Sequence, residues 1–301
     1  PGPAVFVAKD PRMEQILANG LYLGAQYALI ALGLTLIFSL MNVLNFAHGQ
    51  MYVFGGFVTY TVVGQFGLPF VVGLLASAVV LALMGAAIEK FLFRPVIRRS
   101  KREESTMLLA AGIAFFLDAV ILLLFGEKQR GVPKIVNGVF NWDMRVIMPY
   151  DRILIGVLAI AMIAGFILFM QYSRAGRAMR ALAQDRVAAQ LMGVDVDRYS
   201  MIGFALGAML AGLVGGLLVT ITGINLGMGG PTSIKAFLMI MIGGAGVISG
   251  AIAGGFILGM MESVGLTALA AYGDITYLVI FATLMVFLAI RPQGLMGKPW
   301  G

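Results

Sequence analysis

Cysteine is absent from the 301 residues, histidine occurs once, and charged residues make up only 12% of the chain. Without cysteine there is no disulfide framework, no thiol chemistry and no Cys-based metal site. The single His48 has no second His or Cys with which to share an ion, so no metal centre is expected. A soluble domain carries about a quarter charged residues, and this chain falls far short of that. No G-x-x-x-x-G-K-S/T run occurs, which excludes nucleotide hydrolysis through a P-loop. The run Gly243-Gly244-Ala245-Gly246 lacks the preceding strand that a dinucleotide fingerprint requires. The apolar segments hold no nucleophile–base pair. No catalytic residue is assigned, and an intramembrane enzyme is not the expected reading.

What the chain has in abundance is apolar surface: 60% hydrophobic residues, a mean hydropathy of +0.96, 40 glycines and 20 methionines. Glycine lets membrane helices approach closely and methionine fills irregular packing. The net charge of +7 does not imply nucleic acid, because the basic residues cluster at the ends of apolar runs rather than on one face. No cleavable signal is expected: Pro1–Glu14 is short and mixed, and the first apolar run is too long for a signal core.

A helical crossing needs roughly 17–25 apolar residues. Clear candidates are 15–40, 69–93, 106–125, 152–171, 200–222 and 275–290. Gln50–Gly64 is short and follows a polar cluster, and Ile234–Ala271 is long enough for two passes but is interrupted by glycines. The expectation is an all-α membrane bundle of eight or nine crossings, with discontinuous helices near 42–50 and 243–250. Arg94, Arg98, Arg99, Lys101 and Arg102 share one loop, and Arg174, Arg177, Arg180, Arg186 and Arg198 share another, two crossings on. The positive-inside rule puts both in the cytoplasm. Loop 126–151 is then outside, although Lys128, Arg130, Lys134 and Arg145 oppose that side. Three parts result: a tail 1–14 outside, one membrane domain 15–290 with a cytoplasmic loop 172–199, and a cytoplasmic tail 291–301.

Polar residues within this apolar frame are the candidates for function, because their desolvation is costly. Asp118 and Glu262 lie inside spans, with no Lys or Arg partner evident at matching depth. Each is either functional or a neutral hydrogen-bonding group. Asn42, Asn45, His48 and Gln50 join the first long span to the short second one, and serve either a transport path or a capped turn. The cluster Gly243, Gly244 and Gly246 suggests unwound backbone, tolerated in a membrane only where it is buried or lines a cavity. Gly203-x-x-x-Gly207, Gly212-x-x-x-Gly216, Gly250-x-x-x-Gly254 and Gly255-x-x-x-Gly259 read as packing faces. In the basic loop, Arg174, Arg177 and Arg180 lead an Ala-rich helix, Asp185 is placed to cap a second helix, and Gly193 to stop it.

Taken in order, Asn45-Phe46-Ala47-His48-Gly49-Gln50, the loop from Arg180-Ala181 to Met192-Gly193, Gly243-Gly244-Ala245-Gly246 and Arg291-Pro292-Gln293-Gly294-Leu295 resemble permeases of the branched-chain amino acid (Liv-type) ABC importers, in their shorter H-type form. The resemblance runs from about Gln15 to Gly297. It implies that Ala188, Ala189 and Gly193 belong to the loop that docks on an ATPase. Val187 stands where that loop usually has Glu, and its usual Ile-x-Leu-Pro ending is missing. It further implies a bacterial inner-membrane complex of this chain with a second, homologous permease, two cytoplasmic ATPases that hold ATP and Mg, and a periplasmic binding protein. The chain itself would bind no cofactor and no nucleic acid. The substrate would be a branched-chain or other apolar amino acid. Urea or short amides carried by the same architecture form one alternative, and an ion-coupled carrier using Asp118 and Glu262 forms the other.

Overall fold

The computed structural model describes residues 11–100, 102–142, 146–268 and 275–297. Most of the proposed 1–14 tail, Lys101, Arg145, the end of the 234–271 region and the last residues of the 291–301 tail lie outside the described residues.

Helix α1, Pro11–Met41, is 31 residues long, roughly 45 Å at 1.5 Å per residue. From Tyr22 to Met41 it is almost wholly buried, so it is the axis of the bundle. The chain then breaks. Asn42 adopts φ +53°, in the left-handed region that Asn tolerates better than most residues. The buried Asn45 side chain accepts from Ala47 N at 3.1 Å and turns the backbone into α2, His48–Tyr60. Because His48 Nε2 lies 3.2 Å from the carbonyl of Ile30, α2 starts well inside the bundle rather than at its edge. A wide π-helical turn, Thr61–Gln65, extends α2 outward.

Helix α3, Phe70–Ile88, continues through a π-helical turn, Glu89–Phe93, into α4, Arg94–Arg99. Helix α5, Glu103–Phe125, is stopped by Gly126 at φ +76°. The following loop folds into a hairpin, with β1, Val139–Trp142, antiparallel to β2, Val146–Pro149. Helix α6, Tyr150–Tyr172, returns to the basic end, where α7, Arg174–Gln184, and α8, Arg186–Leu191, lie before α9, Val196–Leu218. An irregular stretch, pinned by paired bonds between Arg130 and Ile224 at 2.8 and 2.7 Å, leads to α10, Gly229–Gly243. Helices α11, Ile248–Ala268, and α12, Ile275–Ile290, complete the bundle. Among the described residues, seven helices are long and apolar enough to cross a membrane. With α2 and the shorter α12 they correspond to the apolar segments read from the sequence.

Small residues set the interior. Gly207 of α9 faces Gly33 and Ile37 of α1, where an added Cβ would lie 2.6 Å from the Gly33 carbonyl oxygen. Gly259 of α11 meets the backbone of Gly24, Gly255 meets that of Ala28, and Gly212 meets Ser77 and Leu81 of α3. The expected glycine faces are therefore contact faces, gaining dispersion where lipid supplies no hydrophobic drive. The outer surface is apolar, with Leu108, Phe115, Leu123 and Met285 exposed.

At the basic end Arg94 grips Glu89 at 2.7 Å and donates to the Asp197 carbonyl at 3.0 Å, while Arg98 pairs with the Asp197 carboxylate. These bonds tie α4 to the start of α9. Glu89, only 2% exposed, is a buried acid that its position near the end of an apolar run conceals in the sequence.

Candidate functional site: two cavities and a basic helical elbow

Two cavities open toward opposite ends of α1. The first, about 640 Å³, faces the hairpin end and is walled by α1, the 218–232 segment, α10 and α11. The second, about 870 Å³, faces the basic end and is walled by α1, α6, α7, the α10–α11 break and the segment after α12. Tyr27 and Ile30 line the first, Phe38 and Ser39 the second. Between them Ala31, Leu32, Leu34 and Ile37 are fully buried, and Gly33 packs on Gly207. A closed layer thus divides two compartments.

The first cavity contains a charged cluster. Lys235 Nζ donates to both carboxylate oxygens of Glu262, at 2.9 and 3.0 Å, and to Tyr27 Oη at 2.7 Å. Tyr27 Oη in turn donates to Glu262 Oε2 at 2.5 Å. This corrects the expectation that Glu262 has no cationic partner. Lys235 stands nearly two turns into α10, at the start of the apolar 234–271 region. The antiparallel packing of α10 on α11 brings it level with Glu262, and no sequence spacing shows that. Arg152, whose guanidinium carbon lies 5.8 Å from the Tyr22 ring centre, adds a second cation at the rim.

The other candidates are dispersed. Asp118 meets Gln50, whose Nε2 lies 3.5 Å from Oδ2, in a separate cleft of about 470 Å³ beside Phe115 and Pro231. Asp118 and Glu262 therefore occupy different pockets. Asn42 and Gly246 line the basic-end cavity. Asn45 and His48 are fully buried and line neither cavity. Gly243 packs against the backbone of Gly250, and Gly244, at φ +106°, against Gly297. The segment after α12 closes this break: Leu295 N bonds to Ile242 O at 2.8 Å, and Met296 N to Gly243 O at 3.0 Å.

The basic loop is an ordered elbow. Ser173 Oγ caps α7 through Gly176 N at 2.8 Å, and Asp185 Oδ1 caps α8 through Val187 N and Ala188 N, both at 2.9 Å. Gly193, at φ +86°, ends α8 in a conformation that favours glycine. Arg177 and Arg180 fold back onto carbonyls of Tyr172 and Met170, satisfying the last turn of α6. Arg174 remains exposed. Ala189 is buried, whereas Leu191 and Met192 are 83% and 85% exposed. The sequence reading did not single out this apolar tip.

A multi-pass bundle with a compartment at each end, closed from one another, has the architecture of a membrane permease. Residues 16–288 match the family model of the branched-chain amino acid transport system permease component, and the chain belongs to that family. It is 34% identical to the high-affinity branched-chain amino acid transport system permease protein BraD of Pseudomonas aeruginosa, over 95% of this chain and 96% of that protein. It is 33% identical to LivH of Escherichia coli K12, with the same coverage, and 30% identical to the probable LivH permease of Methanocaldococcus jannaschii, over 98% and 96%. Among solved structures, PsaBC from Streptococcus pneumoniae in complex with Fab aligns at a TM-score of 0.50 and 15% identity, over 91% of this chain and 90% of that one. That likeness concerns the fold.

Proposed function

We propose that the chain forms half of the translocation path of an ATP-driven importer for branched-chain amino acids in a bacterial inner membrane. A second, homologous permease supplies the other half. Two cytoplasmic ATPases hold ATP and Mg, and a periplasmic binding protein delivers the substrate. In this reading the basic end is cytoplasmic and the hairpin end periplasmic. The observation that carries it is the pair of cavities at opposite ends of α1, separated by a closed layer, in a member of this permease family.

The elbow gives the reading a mechanism. Arg180, Ala183 and Gln184 of α7 belong to the wall of the basic-end cavity. A push on the exposed tip of α8 moves α7, and α7 carries part of that wall with it. ATP-driven closure of the ATPases is thereby converted into opening or closing of one compartment. The deep anchoring of Met179 and Leu182 keeps the elbow from yielding locally. The apolar part of the first cavity's lining, Ile30, Leu218, Ile221 and Met228, suits a substrate with an apolar side chain. The separate placement of Asp118 and Glu262 weighs against an ion relay through both.

The test is reconstitution. The chain is co-expressed with its neighbouring permease, ATPases and binding protein, and purified in nanodiscs or liposomes. ATP-dependent uptake of leucine, isoleucine and valine is expected, with urea and short amides left behind. Uptake of amides instead overturns the substrate assignment. A chain that binds no ATPase and accumulates substrate alone on a pH gradient overturns the importer.

A further inference from the structure

The Lys235–Glu262–Tyr27 cluster is costly for a membrane protein to keep. Two charges and a phenol sit near the middle of α1, at the floor of the cavity that opens to the hairpin end. A strut between α10 and α11 would be made more cheaply by apolar packing, as the glycine contacts of α11 with α1 already are. Exchange of a buried pair for hydrophobic residues is commonly neutral or stabilising, and intramembrane ions mark functional sites by default. The pair also lines open space: Lys235 keeps about a quarter of its side chain exposed toward the cavity, whereas Glu262 is nearly closed off.

We propose that this cluster is the subsite at which the permease receives the charged end of a free α-amino acid. The inference rests on the importer reading above and narrows it to a zwitterion. The α-carboxylate replaces Glu262 as acceptor of Lys235, with Arg152 at the rim adding to the same field. The α-ammonium, which carries donors only, binds the released Glu262 carboxylate and Tyr27 Oη. An ion pair opened by a zwitterion leaves no charge unpaired, because each member exchanges one opposite partner for another. A neutral urea or amide offers no such exchange: opening the pair for it strands two buried charges. Gln26, 1% exposed and on the same wall beside Tyr22, supplies a further amide donor for the carboxylate. Ile30, Leu218, Ile221 and Met228 in the same lining provide apolar surface for the side chain. A volume of about 640 Å³ leaves room for such a ligand, within the ~300–1,000 Å³ typical of small-molecule sites.

The experiment uses the complete reconstituted importer with saturating leucine-loaded binding protein. Compared are the wild type, Lys235→Met, Glu262→Gln and the charge-swapped double variant Lys235→Glu/Glu262→Lys, each assayed only as assembled complex. Both single variants should lose at least tenfold in leucine uptake per complex. The swapped variant should regain the thermal stability of the wild type without regaining uptake, because its charges face the zwitterion in reverse. Uptake within twofold of wild type in either single variant overturns the subsite. Full recovery of uptake in the swapped variant also overturns it, since only a strut is indifferent to polarity. A wild-type complex that moves amides and not leucine refutes the importer's substrate instead, and the wild-type arm reads that outcome separately.

Discussion

At the residue scale, glycine decides whether the helices can meet at all. Gly207 and Gly33 bring α9 and α1 into backbone contact, and a side chain at either meets a carbonyl oxygen. Gly207→Val should destabilise the fold by about 1–3 kcal/mol, the usual cost of overpacking. Gly165→Ala, with nothing within 4 Å of the added Cβ, should leave the melting temperature of the solubilised protein unchanged or slightly raised, alanine being the better helix former. Equal melting temperatures for the two variants would refute the contact assignment. His48 illustrates the opposite use of a polar residue. Its Nε2 reaches the carbonyl of Ile30 from a fully buried position, so it holds the inner end of α2 against α1. His48→Ala should lower stability by about 1–3 kcal/mol, for the lost bond and the void. Uptake per folded molecule should be retained, and loss of uptake at normal stability would show that His48 acts on the substrate.

Elements carry the coupling. Helices α7 and α8 are short, yet both start on side-chain caps, and Arg177 and Arg180 close the preceding helix. Asp185→Ala should loosen α8 by about 1 kcal/mol, a typical N-cap loss, visible as faster hydrogen exchange confined to residues 186–193. The exposed Leu191 and Met192 form the tip that meets another protein in the importer reading. Leu191→Asp with Met192→Asp should therefore abolish co-purification of the ATPases while leaving the chain folded in the membrane. Retained ATPase binding would move the docking surface elsewhere. Ala189, which the resemblance assigns to the docking loop, is itself buried. A bulky residue there tests packing rather than docking.

At the scale of the whole molecule, two compartments and one closed layer form the testable arrangement. The absence of cysteine provides a clean background for probing it. Thr222→Cys, on the wall of the hairpin-end cavity, should react with a membrane-impermeant maleimide added outside intact cells. Gln184→Cys, on the wall of the basic-end cavity, should react only from the cytoplasmic side, in inverted vesicles. The reverse pattern would invert the orientation argued from the arginine-rich loops. Nucleotide trapping should change the labelling rate at Gln184→Cys, since α7 is both elbow and cavity wall.

Much of this was legible in the sequence. Apolar runs of bilayer length determine the class of the molecule, because backbone in lipid must satisfy itself as helix. Arginine placement determines the expected sidedness, and Asn42, Gly244 and Gly246 mark the two breaks, since their φ values are unfavourable for other residues. Asp185 and Gly193 announce the ends of α8 because capping is a local interaction. What depends on neighbours distant in the chain was hidden. Tyr27, Lys235 and Glu262 are far apart in sequence, and only the packing of α1, α10 and α11 makes them one cluster. Asn45 and His48 look alike from the sequence as path or strut, and only burial distinguishes the two. Helix formation and sidedness come from local patterns of residues and charge, whereas a cavity exists only where helices fail to touch, so the two compartments and the ion pair in one of them were decided by tertiary packing alone.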